Sequence, residues 1–157
     1  MNSDFQLERV NYIFDIFNHD PHLFDHSQVP LVRAKGSKIV LGELPLNNHI
    51  VHGETILSIH ETLEEGEIKK FRYTWELSQR KKRMSKNMRF ITSFDKQPHP
   101  DPPYNVDTDP YHHHYDTNNP IKRTETDVED LYTIVSILRD YIISNQPYKI
   151  EDRYYEK

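Results

Sequence analysis

Between residues 4 and 18 the apolar side chains Leu7, Val10, Ile13, Phe14 and Phe17 recur at three- and four-residue spacing. That is the period of one face of an α-helix. Ser3 or Asp4 can cap its first turn, and Pro21 removes a backbone donor needed to continue it. From Val29 the period changes to two. Val29 to Ala34 and Ile39 to Leu41 flank Lys35-Gly36-Ser37, the pattern of a hairpin turn. Asn47-Asn48 and Gly53 mark further turns, and Thr55 to Leu63 predicts a strand closed by Glu64-Glu65-Gly66-Glu67. Lys69 to Leu77 alternates, with Phe71, Tyr73, Trp75 and Leu77 opposed to Lys70, Arg72, Thr74 and Glu76. Asn87 to Asp95 repeats this, with Met88, Phe90, Thr92 and Phe94 opposed to Arg89, Ile91, Ser93 and Asp95. Near the end, Val128, Leu131, Ile134, Val135, Leu138, Tyr141 and Ile142 form one helical stripe. Thr126 and Glu129 have capping-box spacing, and Asn145 and Pro147 stop the helix. The pattern predicts an α+β fold: an N-terminal helix, an antiparallel β-meander across residues 29–95, and a C-terminal helix 126–144 packed on one sheet face. One domain spans residues 1–147, and 148–157 reads as a flexible tail.

Composition narrows the chemistry. The chain of 157 residues has no cysteine, which excludes disulfides, thiolate metal sites and a cysteine nucleophile. Hydrophobic content of 35% against 29% charged residues implies a thin core. No apolar run approaches the roughly 18 residues of a membrane helix, and the N-terminal residues do not read as a secretion signal. A cytoplasmic protein is expected. The net charge of -5 argues against a protein that coats DNA. Charge is nevertheless segregated: Arg80, Lys81, Lys82, Arg83, Lys86 and Arg89 lie in a stretch without acidic residues, between the last two predicted strands. Such a hairpin can hold a phosphate backbone, although charge runs are commonly solvated turns. Phe71, Tyr73 and Trp75 could stack bases, but strict alternation beside a strong helix favours core packing.

The passage from Asp95 to Arg123 holds four of the ten histidines. Histidine is the side chain whose ordinary pKa lies nearest physiological pH. On an extended segment His112 and His114 project to one face and His113 to the other. Two imidazoles on one face can act as acid and base, or as two ligands of a metal whose third ligand would be His99, Asp95 or Asp116. A solvated histidine-rich loop has the same local pattern. Asp95, four residues before His99, can orient a histidine or cap a turn. Glu61 is a weaker candidate base, and His49, His52 and His60 have no partner legible in the sequence. There is no glycine-rich phosphate loop and no Gly-x-Ser-x-Gly elbow.

Several of these segments, in this order, resemble the TumE-like toxin family of prokaryotic type II toxin–antitoxin systems. His52-Gly53-Glu54-Thr55-Ile56-Leu57-Ser58-Ile59-His60-Glu61 resembles the family's Asp-Gly-Ser turn, apolar strand and closing Glu. Lys70-Phe71-Arg72-Tyr73-Thr74-Trp75-Glu76-Leu77 resembles its Tyr-x-Tyr/Trp strand. Phe94-Asp95-Lys96-Gln97-Pro98-His99-Pro100 is similar to Arg-Tyr-Asp-Asn-Ala-Pro-His-His, and Pro110-Tyr111-His112-His113-His114 to Pro-His-His-Lys-His. The motif's arginine is Ser93 here, its tyrosine Phe94, and its second histidine Pro100, so a phosphate clamp would have to come from Lys96 or Arg89. The resemblance covers about residues 48–143. It implies a toxin silenced by a cognate antitoxin, with RNA as the substrate of such a toxin, no membrane association and room for a homodimer. The leading expectation is a metal-independent ribonuclease without a cofactor: His112, His114 and His99 move protons, Asp95 orients one of them, and the basic hairpin holds phosphates. The alternatives are a metal-binding enzyme built on His112 and His114, and a non-catalytic partner-binding module.

Overall fold

The computed structural model describes residues 3–84, 90–98 and 105–156. Its elements run α1 (Asp4–Asn18), β1 (Leu31–Lys35), β2 (Ile39–Pro45), β3 (Thr55–Glu64), β4 (Glu67–Leu77), α2 (Gln79–Met84), β5 (Thr92–Lys96), β6 (Tyr111–His114) and α3 (Leu131–Ser144). This is the α+β architecture expected from the pattern.

Helix α1 begins at Ser3, whose hydroxyl accepts from the Gln6 amide while the Gln6 side chain accepts from the Ser3 amide, both at 3.1 Å. Two orphan donors are thus satisfied reciprocally. The buried face is carried by Ile13, Phe17 and, unexpectedly, Gln6, whereas Leu7 is exposed. Gln6 tolerates burial because its side-chain amide donates to the carbonyls of Ile39 and Gly36, at 2.8 and 3.2 Å. Those bonds fasten α1 to the β1–β2 turn.

The six strands form one antiparallel sheet in the order β1-β2-β3-β4-β5-β6. The β3–β4 turn places Glu65 and Gly66 at φ of 53° and 73°. Two central residues of positive φ suit the right-handed twist of the paired strands. On the inner face Leu44, Leu57, Ile59, Phe71, Tyr73, Trp75 and Phe94 join Leu131, Ile134, Val135, Leu138 and Ile142 of α3 in one core. Tyr73 and Trp75 are fully buried, so they pack the core and offer no platform for bases. Lys70 and Arg72 lie on the exposed outer face, as alternation requires.

Three local expectations change. The final helix begins at Leu131, five residues later than the 126–144 span, because Asp130 is the N-cap: its carboxylate accepts from the Thr133 amide at 2.9 Å. Thr126 instead donates to the carbonyl of Tyr154 and accepts from the Val128 amide, each at 3.1 Å. Asn145, with φ of 57°, ends α3 as expected. The basic hairpin proves to start with a short helix, α2, begun where Ser78 Oγ accepts from the Lys81 amide at 3.3 Å. The strand expected from Asn87 starts at Thr92, and residues 85–89 lie outside the described residues.

Glu61, a candidate base on sequence grounds, is fully buried on the inner face. Arg9 donates to both its oxygens, at 2.8 and 2.6 Å, and the Tyr73 hydroxyl donates at 2.6 Å. Its partners close it off and tie α1 to the sheet.

Candidate active site

The antiparallel register brings the site together. Arg72 on β4 stands opposite Asp95 on β5, which stands opposite His112 on β6; Ser93 stands opposite His114. Directly paired residues share a face, so Arg72, Asp95, His112 and His114 all occupy the outer face. Their short spacing along three neighbouring strands needs no loop to hold it.

Asp95 is 2% exposed, and Arg72 reaches it as a fork, with Nη2 and Nε donating to Oδ2 at 2.9 and 3.1 Å. Ser93 Oγ donates to Oδ1 at 3.3 Å. Nε2 of His114 lies 3.2 Å from Asp95 Oδ2, and Nε2 of His112 lies 3.7 Å from it. Burial alone would raise the carboxyl's pKa. The adjoining imidazoles and the Arg72 guanidinium overcome that and hold Asp95 well below the usual carboxylate range. It is an anion at any physiological pH.

The two imidazoles are oriented from behind. Nδ1 of His114 lies 3.0 Å from the carbonyl of Pro120, which can only accept, so Nδ1 carries the proton. Nδ1 of His112 lies 3.3 Å from Asp109 Oδ1. Both rings are buried, and neither Nε2 has a hydrogen-bond partner among the described residues. At 3.7 Å His112 is too far from Asp95 for a hydrogen bond, and at 3.2 Å His114 makes none in this orientation. One ligand atom from each of Asp95, His112 and His114 lies within 4.8 Å of the others.

A cleft of about 310 Å³ opens beside the cluster, lined by His60, Thr62, Lys70, Arg72, Asp95 and Gln97 among others. Asp95 is the member of the cluster that lines this cleft together with Arg72; His112 and His114 are not among its lining residues. Arg72, Lys70 and His60 were not singled out from the sequence. The signal was present in part, since the polar face of β4 carries Lys70 and Arg72, but their partner depended on register. Lys96, which also lines the cleft, donates through Nζ to the Ile68 carbonyl at 2.8 Å, and the cation beside Asp95 is Arg72.

His113 faces away from its neighbours, as the two-residue period predicts, but into the core rather than into solvent. It stacks on Phe94 with ring centroids 4.2 Å apart and meets Thr92 Oγ1 through Nε2. Burial, with Arg153 and the two neighbouring histidines adding to it, pushes its pKa down to about 3. It is a neutral structural ring.

The basic residues of α2 are drawn into local pairs. Arg80 meets Glu54 at 3.1 Å and Lys82 meets Glu76 at 2.7 Å, leaving Lys81 and Arg83 as the less committed cations of this helix. Arg72 and the end of β4 at Leu77 are five residues apart, or roughly 17 Å along a strand. Lys86, Arg89 and His99 lie outside the described residues.

Among the described residues no helix is long and apolar enough to cross a membrane. Compared with known proteins, the chain matches the family model described as Toxin TumE over residues 13–146. That span takes in every strand and all of α3. No curated protein matches the chain, and no solved structure does.

Proposed function

Since the chain belongs to the TumE toxin family, and so is the toxin component of a toxin–antitoxin system, we propose that it acts by cleaving RNA where β4, β5 and β6 bring Arg72, Asp95, His112 and His114 together. The observation that supports this most is the register itself: a guanidinium, an ionised carboxylate and two imidazoles share one face beside an open cleft. Cleavage at a ribose needs the 2′-OH deprotonated, the 5′-oxygen stabilised as it leaves, and the phosphate's growing charge neutralised. Arg72, 63% exposed in its side chain, can pivot from Asp95 to a phosphate, where its planar fork fits two oxygens. Lys70 continues this positive lining along the cleft, and His60 adds an imidazole to it. The α2 cations would meet phosphates further along the strand.

The imidazoles could work alone. In that mode one of His112 or His114 removes the 2′-OH proton and the other protonates the 5′-oxygen, with Asp95 stabilising an imidazolium. The 3.2 Å approach of His114 to Asp95 favours His114 as the acid. Full burial of His112 weighs against direct contact between that ring and a substrate. The partners are then RNA and the cognate antitoxin, and the compartment is the cytoplasm.

Induced expression of the toxin without its antitoxin, together with cleavage of RNA by the purified protein, tests the reading. His114→Ala should lower turnover by about 10²–10⁴, and Arg72→Ala by about 10²–10³. Folded variants that still arrest growth and cut RNA at the wild-type rate would remove this face from the function.

A further inference from the structure

We infer that Asp95, His112 and His114 form a binding site for one divalent first-row transition metal, with Zn²⁺ as the best-suited ion. The inference deepens the reading of this face as the place of RNA cleavage and supplies its cofactor.

Three observations carry it. The first is the donor set. Two imidazole nitrogens and one carboxylate oxygen are the ligands such ions take, and three protein ligands leave a position open for water or substrate. The second is the spacing. Ligand atoms about 2.0–2.1 Å from a tetrahedral centre lie roughly 3.3–3.4 Å from one another. The two Nε2–Oδ2 separations are 3.2 and 3.7 Å. One ligand atom from each of the three residues lies within 4.8 Å of the others, so closing on an ion needs the rings to move inward.

The third observation is how the rings are held. Metal-bound histidines donate their other ring N–H to a carboxylate or a backbone carbonyl, which fixes the ring and its tautomer. Both arrangements occur here: Nδ1 of His112 faces Asp109, and Nδ1 of His114 faces the Pro120 carbonyl. With those nitrogens protonated, each Nε2 of the neutral ring is a lone pair. Both lone pairs are buried, without a hydrogen-bond partner among the described residues, and they crowd the oxygen of an anion. Nitrogens this close to a carboxylate oxygen call for something positive between them, a proton or a metal ion. A proton on Nε2 makes no hydrogen bond to Asp95 as the rings stand, His112 being too far at 3.7 Å and His114 making none at 3.2 Å. A cation placed along the lone pairs satisfies all three atoms. Arg72 donates twice to Oδ2 itself, at 2.9 and 3.1 Å, so a metal on that oxygen would take a lone pair now facing the guanidinium, which keeps Oδ1 at 3.3 Å as a partner.

The test uses the full-length, untagged protein, stripped with chelator, exchanged into metal-free buffer and titrated with Zn²⁺ by calorimetry. Co²⁺ is the second probe, because its visible absorption reports coordination number. Wild type should bind one ion per chain, with the strong bands of a four-coordinate centre, and its melting temperature should rise with free metal. His114→Gln and Asp95→Asn should lose that stoichiometric binding. Asp109→Asn, which changes the group behind His112 Nδ1 while leaving an amide oxygen to accept from the Val106 amide as Oδ2 now does, should weaken affinity by about 10–100-fold. Replacing the exposed His22 by alanine should change nothing. Melting curves in chelator identify any variant that has simply unfolded, and Asp109→Asn keeps the test available if a ligand variant does so. A wild type that binds no ion, or binding that survives His114→Gln, overturns the inference. If no metal binds but His114→Ala still abolishes growth arrest, the RNA-cleavage reading stands with proton transfer by the imidazoles alone. If metal binds here and growth arrest survives loss of the ligands, the metal site stands and the RNA-cleavage reading falls.

Discussion

Arg9 and Glu61 offer the sharpest separation of scaffold from chemistry, because they lie on the inner face, across the sheet from the site. Replacing Arg9 by methionine keeps most of the apolar stem but removes both donors, at 2.8 and 2.6 Å, from a carboxylate that is fully buried. Only the Tyr73 hydroxyl remains, at 2.6 Å. Breaking a buried ion pair from one side costs about 3–5 kcal/mol. The stranded side chain can escape by taking a proton, which from the free-glutamate value near 4.3 costs roughly 3.7 kcal/mol at pH 7 and about 1 kcal/mol at pH 5. Removing the Arg9 guanidinium from above the Tyr12 ring, 4.7 Å from its centroid, adds about 0.5–1 kcal/mol. The loss should therefore be near 4 kcal/mol at pH 7 and clearly smaller at pH 5. In the double variant Arg9→Met/Glu61→Gln much of the deficit should return, because no charge is left stranded. Urea unfolding of wild type, Arg9→Met, Glu61→Gln and the double variant at both pH values measures this. A loss below about 1 kcal/mol at pH 7, or no recovery in the double variant, would refute the account. RNA cleavage per folded molecule should be unchanged in all four.

Two further outcomes concern His52 and the α2 cations. His52 accepts from the Tyr148 amide through Nε2 at 3.0 Å and packs against Trp75 and His49; burial first, then His49, lowers its pKa to about 4. Its contribution to stability is thus fully present above the ordinary histidine value near 6.5 and is lost as pH falls from there towards 4, so the urea midpoint should fall less over that range in His52→Gln than in wild type; parallel curves would exclude it. In RNA binding, Lys81→Ala with Arg83→Ala should weaken affinity more than Arg80→Ala with Lys82→Ala, whose cations are already paired with Glu54 and Glu76. For each phosphate that no longer has a cation beside it, the slope of log K against log salt should flatten by roughly 0.7 for a single strand, and an unchanged slope in all variants would take α2 out of the interface.

Wherever the cause was local, the chain's own pattern was enough. The capped helix after Ser3, the positive-φ turn at Glu65-Gly66, the aromatic face of β4 and the stripe of α3 each follow from residues a few positions apart. The same is true of the projection of His112 and His114 to one side of an extended segment, since the pleat alternates side chains whatever the partner strand. What those histidines meet is a different matter. Asp95 and Arg72 lie 17 and 40 residues before His112, and only the register of β4, β5 and β6 sets them opposite one another. A one-residue slip would have sent each to the other face. The acceptors behind the rings, Asp109 and the Pro120 carbonyl, come from loops whose course no periodicity encodes. Thr126 shows the same limit from the other side. It had the spacing of a cap, but the helix starts after Asp130, and the Thr126 hydroxyl bonds instead to Tyr154, 28 residues away. Short-range pattern decides which way a side chain points, because backbone geometry repeats; tertiary structure decides what it finds there, because the partners of a buried polar group are set by how distant strands and loops are brought together.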